Sequence, residues 1–116
     1  MARLTTTPEF RNLLWSATEK RVAREVFQRA YGKQCAAIRA KLRKMISQAS
    51  EPSDIWSIHD FLSEERKRTD EVFDFRYSVL IQVFGTLLRE GWLNKHDLAG
   101  LSEDKITKIQ QIANLR

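Results

Sequence analysis

Trp56–Arg76 reads WSIHDFLSEERKRTDEVFDFR, and how this stretch is read decides the fold. Ser63–Glu71 holds no apolar residue, over more than two helical turns. A helix held on a core normally keeps apolar residues at i, i+3 and i+4. Here that stripe lapses and returns at Val72, Phe73 and Phe75. Nothing in the gap breaks a helix: it has no Gly or Pro, and its one β-branched residue is Thr69. Glu64/Arg68, Arg66/Asp70 and Lys67/Glu71 stand at i,i+4 and Glu64/Lys67 at i,i+3, each pair contributing roughly 0.2–0.5 kcal/mol. The stretch therefore predicts a continuous helix that leaves the protein body and meets water or another polar helix.

Upstream, apolar residues recur in helical steps from Phe10 through Val22, Val26, Ala30, Ile38, Leu42 and Met45 to about Ala49. Thr7-Pro8 offers a cap and first turn, residues 1–7 look loose, and a boundary near Ala17–Lys20 is an alternative. Gly32 weakens this helix by about 1 kcal/mol relative to Ala. Ser50-Glu51-Pro52-Ser53 makes a turn, with Ser53 able to cap a second helix. That helix is expected from about Asp54 to Glu90, stopped by Gly91. A strand over Tyr77–Phe84 is allowed by propensity, but the run continues into helix formers through Glu90.

Asn94 caps a short helix over Lys95 to about Ala99, Gly100 ends it, and Ser102 caps a last helix with Glu103 and Asp104 in its first turn. The expected fold is all-α. Two long helices form an extended arm over about 8–76, and a small helical head occupies about 77–116 of a single domain. Two helices of ~50 Å cannot bury themselves in a chain of 116 residues. A homodimer that packs the arms together is the expected solution.

Apolar content of 42% and charged content of 30% suit a soluble helical protein. No apolar run approaches the ~18 residues of a membrane span, and MARLTTTPEF lacks the apolar stretch of a secretion signal. The single cysteine, Cys35, excludes an internal disulfide. A cytoplasmic location is expected. The net charge of +5 is concentrated between Lys20 and Lys44, where nine cations face only Glu19 and Glu25. That surface could attract an acidic protein or nucleic acid, although a solvated helix face is the simpler reading. No zinc-finger or RNA-binding signature accompanies it, and its apolar residues are spaced as a packing seam rather than a membrane-binding face.

Chemistry has few carriers. Enzymatic use of His59-Asp60 would need His59 as a general base, and no partner for it is evident. No phosphate loop, nucleophile elbow, zinc-protease motif or paired Cys nucleophile occurs. Asp70 and Asp74 at i,i+4 are a weak cation pair on a basic chain. On a helical wheel Trp56, Asp60, Ser63, Lys67, Asp70 and Asp74 fall near one another, with His59 and Arg66 at the edge, and the better reading of this mixed face is a polar protein interface, where Trp and Arg are favoured anchors.

Asp54-Ile55-Trp56, His59-Asp60-Phe61-Leu62-Ser63, Arg66, Asp70, Asp74, Arg76 and Ser78-Val79 resemble the signature of the cyanobacterial fluorescence recovery protein family. Leu14-Trp15-Ser16, Phe27–Tyr31, Leu87-Leu88, Glu90-Gly91, Leu98, Asp104-Lys105 and Lys108-Ile109 extend the resemblance over about 14–115. It implies an all-α homodimer that carries no cofactor and performs no chemical step. Such a protein binds the C-terminal domain of the photoactivated orange carotenoid protein, speeds its return to the orange form and helps detach it from the phycobilisome. This would place it in the cytoplasm, at the thylakoid through the phycobilisome. Trp56, His59, Asp60 and Arg66 would lie at the dimer interface and matter for activity. Lys108, Phe84 and Gln82 would form the partner-binding head. The chain departs from the family at Gln82, at Glu71-Val72-Phe73 and at Thr69, where Phe, Gly-Lys-Tyr and Ile are usual. A second reading is a divergent homodimeric adaptor for another acidic protein or nucleic acid.

Overall fold

The computed structural model describes residues 13–115, with extents of 53 × 29 × 23 Å. Among these residues four α-helices succeed one another: α1 (Ala17–Gln48), α2 (Pro52–Val72), α3 (Leu80–Glu90) and α4 (Glu103–Ala113), with a 3₁₀ turn at Lys95–Leu98. The fold is all-α and extended, as expected.

The first helix starts later than the apolar pattern suggested. Leu13–Ser16 is not helical, and the Thr7-Pro8 start signal lies outside the described residues. Ser16 caps α1 through a reciprocal box: its Oγ accepts the Glu19 N–H at 3.0 Å, and Glu19 Oε1 accepts the Ser16 N–H at 3.0 Å. The second helix starts at Pro52 rather than Asp54, and Ser53 is not its cap. The Asp54 carboxylate instead accepts the N–H groups of Ser50 and Glu51, both at 2.8 Å. These bonds hold its pKa below the usual carboxylate range.

The expected unbroken helix from Asp54 to Glu90 is interrupted at residues 73–79. The polar gap Ser63–Glu71 is helical throughout; the break falls where the aromatic residues return. In a helix, Phe73 and Tyr77 would share a face at i,i+4 while Phe75 would point to the opposite side, because successive side chains rotate by 100°. In extended backbone, residues two apart share one side. All three rings accordingly face α1. Trp15, Tyr77, Phe75, Phe27, Phe73 and Tyr31 form a continuous ladder with centroid spacings of 5.5, 5.5, 5.1, 5.4 and 5.3 Å. Such tilted and edge-to-face pairs contribute about 0.5–1.5 kcal/mol each beyond burial. On the other side, Arg76 grips Asp74 with Nε at 2.9 Å from Oδ1 and Nη2 at 2.5 Å from Oδ2.

The break lets the chain turn so that α3 folds into the head. Leu80, Ile81, Phe84 and Leu87 of α3 pack with Ile106 and Ile109 of α4 and with Leu93, Leu98 and Leu101. Val22, Ala23, Val26 and Ala30 of α1 complete this core, so the first half of α1 belongs to the head as well as leading into the arm. Each fully enclosed side chain, such as Phe84 or Leu98, contributes roughly 1.5–3 kcal/mol. Gly91 (φ 85°) closes α3 in the left-handed conformation, and Gly100 (φ 107°) turns the chain against Val22. Ser102 Oγ caps α4 by accepting the Lys105 N–H at 3.3 Å.

Candidate functional site

The arm is the distal part of α1 laid against α2. On α2 the half-buried positions include Ile58, Phe61, Glu65, Thr69 and Val72, a narrow seam at steps of three and four. No residue of α2 is fully buried. Gln34 is buried in α1, and its side-chain oxygen accepts the Thr69 hydroxyl at 3.1 Å. That bond gives Thr69, one of the departures from the resemblance, a structural role.

The face of α2 turned away from the seam carries the residues expected to matter. Trp56 is 65% exposed, and Ile55 (57%) and Leu62 (38%) leave further apolar surface open on the same helix. His59 meets the Trp56 indole edge-on, with centroids 6.3 Å apart, and its Nδ1 lies 3.4 Å from Asp60 Oδ1. About two turns on, Arg66 Nε donates to Asp70 Oδ2 at 3.1 Å. Trp56, His59, Asp60 and Arg66 therefore share one solvent-facing stretch.

Of the charge pairs read from the sequence, Arg66–Asp70 is the one formed within α2 among the described residues. Arg68 pairs instead with Glu90 at the end of α3, at 2.8 Å, and Glu90 also accepts the Trp92 indole N–H at 3.3 Å. This strut between arm and head had no signal in helical spacing, since it spans 22 residues. Tyr31 of α1 is a further residue that the sequence placed only in an apolar stripe; it is 45% exposed. Its hydroxyl pKa is raised, first by a hydrogen bond with Cys35 and then by that thiol's charge, with smaller opposing effects from Arg66 and Asp70.

Asp70 and Asp74 do not form a cation site. Asp74 lies beyond the end of α2, and each carboxylate is engaged by an arginine. No cluster of three or more His, Cys, Asp or Glu able to hold a metal occurs among the described residues. No helix among them is long and apolar enough to cross a membrane.

The head residues fall into two groups. Lys108 is partly exposed and bridges Asp104 at 2.9 Å, one turn back on α4. Phe84 has no exposed surface and Gln82 only 7%, so both lie within the head rather than on a contact face. Where the sequence reading set them beside Lys108 as partner-binding residues, their placement leaves them to act through the shape of the head. Beneath this surface, Lys105 Nζ sits 3.1 Å from Glu19 Oε1 and donates to the Leu14 carbonyl at 2.6 Å. Burial alone would raise the Glu19 pKa. The N–H groups of Ser16 and Ser102 and the Lys105 ammonium outweigh it and bring the value to about 2.

Comparison with known proteins agrees with this architecture. Residues 15–113 match the family described as photoprotection regulator fluorescence recovery protein. A fluorescence recovery protein of Synechocystis sp. is 38% identical over 101 residues, covering 87% of this chain and 93% of that protein. The solved fluorescence recovery protein of Fremyella diplosiphon is similar with a TM-score of 0.84 and 42% identity, covering 88% of this chain and all of that one. The Synechocystis structure gives 0.84 at 37% identity, with 88% of this chain and 100% of that chain covered. The chain belongs to the fluorescence recovery protein family of photoprotection regulators.

Proposed function

We propose that this protein is a non-enzymatic, homodimeric regulator that binds the photoactivated orange carotenoid protein at its C-terminal domain. It accelerates reversion to the orange form and helps release the carotenoid protein from the phycobilisome. The reading is carried by the α2 face, where Trp56, Ile55 and Leu62 are left open on a helix with no buried residue. Apolar surface of this kind, rimmed by charge, marks a protein interface. A second copy covering it would bury Trp56 as an anchor, with His59, Asp60 and the Arg66–Asp70 pair fixing register.

The regulator works by differential affinity: it must bind the relaxed form, or the path to it, better than the activated form. No bond changes. Lys108 supplies a cation on the head for that contact, and Phe84 and Gln82 hold the α3–α4 surface in shape. The test is to mix the protein with photoactivated orange carotenoid protein and track the red-to-orange absorbance decay in the dark. Faster decay at equimolar protein is expected; an unchanged rate rejects the function.

A further inference from the structure

One face of α1 is left over by both the head and the arm. At its lower end, α1 and the loop around Gly100 enclose an open cleft of about 540 Å³. Val22 and Val26 form an apolar floor, and Arg21, Arg29 and His96 stand at the rim. The rim acids are already matched: Arg21 lies 3.7 Å from Glu25, and Arg29 lies 3.5 Å from Asp97. At 100° per residue, the side of α1 that opens on this cleft continues through Lys33, Ala36, Ala40, Arg43 and Lys44, all exposed. The side chains of Lys33, Arg43 and Lys44 form no ion pair among the described residues. From Val26 to Ser50 the chain has no carboxylate at all.

We infer that this face of α1, from the cleft to Lys44, is a docking surface for an acidic amphipathic helix of a partner protein. The cleft floor takes an apolar side chain at one end, the cations pair with carboxylates along the track, and Ala36 and Ala40 let the partner's backbone approach closely. From Val22 to Lys44 the track runs ~33 Å, the length of about 22 helical residues.

A discrete helix fits better than a nucleic acid. The apolar floor at Val22 and Val26 and the small residues Ala36 and Ala40 between the cations suit apolar side chains and a closely packed helix backbone, whereas a sugar–phosphate chain would use only the cations. The surface faces away from Trp56 and does not depend on the carotenoid protein as partner.

The probe is a peptide of about 24 residues, designed as a helix with glutamates along one edge and two leucines at one end. Titrated into the isotopically labelled full chain, it is expected to shift backbone amides of Thr18–Ser47 while leaving the exposed side of α2 unaffected. Simultaneous Lys33→Glu, Arg43→Glu and Lys44→Glu should weaken binding at least about tenfold, with unchanged helicity by circular dichroism. A peptide of scrambled order should bind no better than that variant. Failure of the peptide to bind, equal binding by the variant, or displacement by duplex DNA of about 20 base pairs at equal concentration would overturn the inference.

Discussion

Lys105 Nζ lies 3.1 Å from Glu19 Oε1, joining residues 86 apart, with both side chains about nine-tenths buried. The pair locks the first turn of α1 to the first turn of α4. The same carboxylate accepts the Ser16 N–H at 3.0 Å and the Ser102 N–H at 2.8 Å, so one side chain serves both helix entries. Lys105 also lies over the Trp15 ring, 4.9 Å from its centroid. Removing one partner strands a buried charge. Glu19→Gln is expected to cost about 3–5 kcal/mol in urea unfolding, whereas Glu19→Gln with Lys105→Met should recover part of that loss.

The pair also dictates a pH response. The Glu19 pKa is about 2 in the fold against an ordinary 4.5. A depressed carboxylate contributes fully above its unfolded value, and its contribution is lost as pH falls through its folded value. The stability gap between wild type and Glu19→Gln should therefore be widest above pH 4.5 and close toward pH 2. Urea midpoints of both proteins across that range would show it; a gap independent of pH contradicts the assignment.

Two glycines should respond oppositely to the same change. A Cβ at Gly85 would collide with the Ile112 side chain and come within 3.3 Å of the Ile109 carbonyl. Gly85→Ala must push α3 from α4, at about 1–3 kcal/mol. Gly32 has nothing within 4 Å of the added Cβ and sits inside α1, so Gly32→Ala should stabilise by roughly 0.5–1 kcal/mol. Thermal unfolding of both variants gives the signs directly.

Trp56→Ala and Arg66→Ala are expected to weaken self-association by ~1–3 kcal/mol each while leaving the monomer fold intact, because neither side chain touches the core. Light scattering over a dilution series would show the dimer dissociating at higher concentration. A purified chain that is monomeric at micromolar levels removes the basis for the arm interface.

Thr69→Val keeps the shape of the seam but deprives the buried Gln34 side chain of its 3.1 Å hydrogen bond. A loss of about 1–2 kcal/mol is expected, and Thr69→Val with Gln34→Leu should be closer to neutral. Hydrogen exchange along α2 would localise the effect to the arm.

Most element ends were legible because their causes are local. Gly91, Asn94, Gly100 and Ser102 act through their own backbone freedom or short side chains, and each sits where the sequence put it. The long-range features were harder. The break after Val72 carried a signal, the period-two run Phe73, Phe75, Tyr77, but it stood among residues that also favour helix. Ser16 and Glu19 had capping-box spacing, masked by an apolar pattern that continued upstream. The double duty of α1 was hidden for a different reason: Val22, Val26 and Ala30 face the head, Ile38, Leu42 and Met45 face α2, and a single stripe blurs the two. Helical spacing put Trp56 and Asp60 on one polar face with His59 and Arg66 at its edge, and the resemblance singled these four out from their neighbours; all four lie exposed on α2. Phe84 and Gln82 were not, since their burial depends on where α4 packs.

α1 runs unbroken from head to arm, but between Val72 and Leu80 no helix carries α2 on into the head, so the bearing of α2 on α1 is set largely by rings resting on rings. α2 extends about 32 Å beyond that joint, and a tilt of about 5° there sweeps its tip by about 3 Å. Slight repacking of Phe27 against Phe73 and Phe75 is thereby magnified at the far end of α2, giving that helix a leverage that one continuous with α3 would lack.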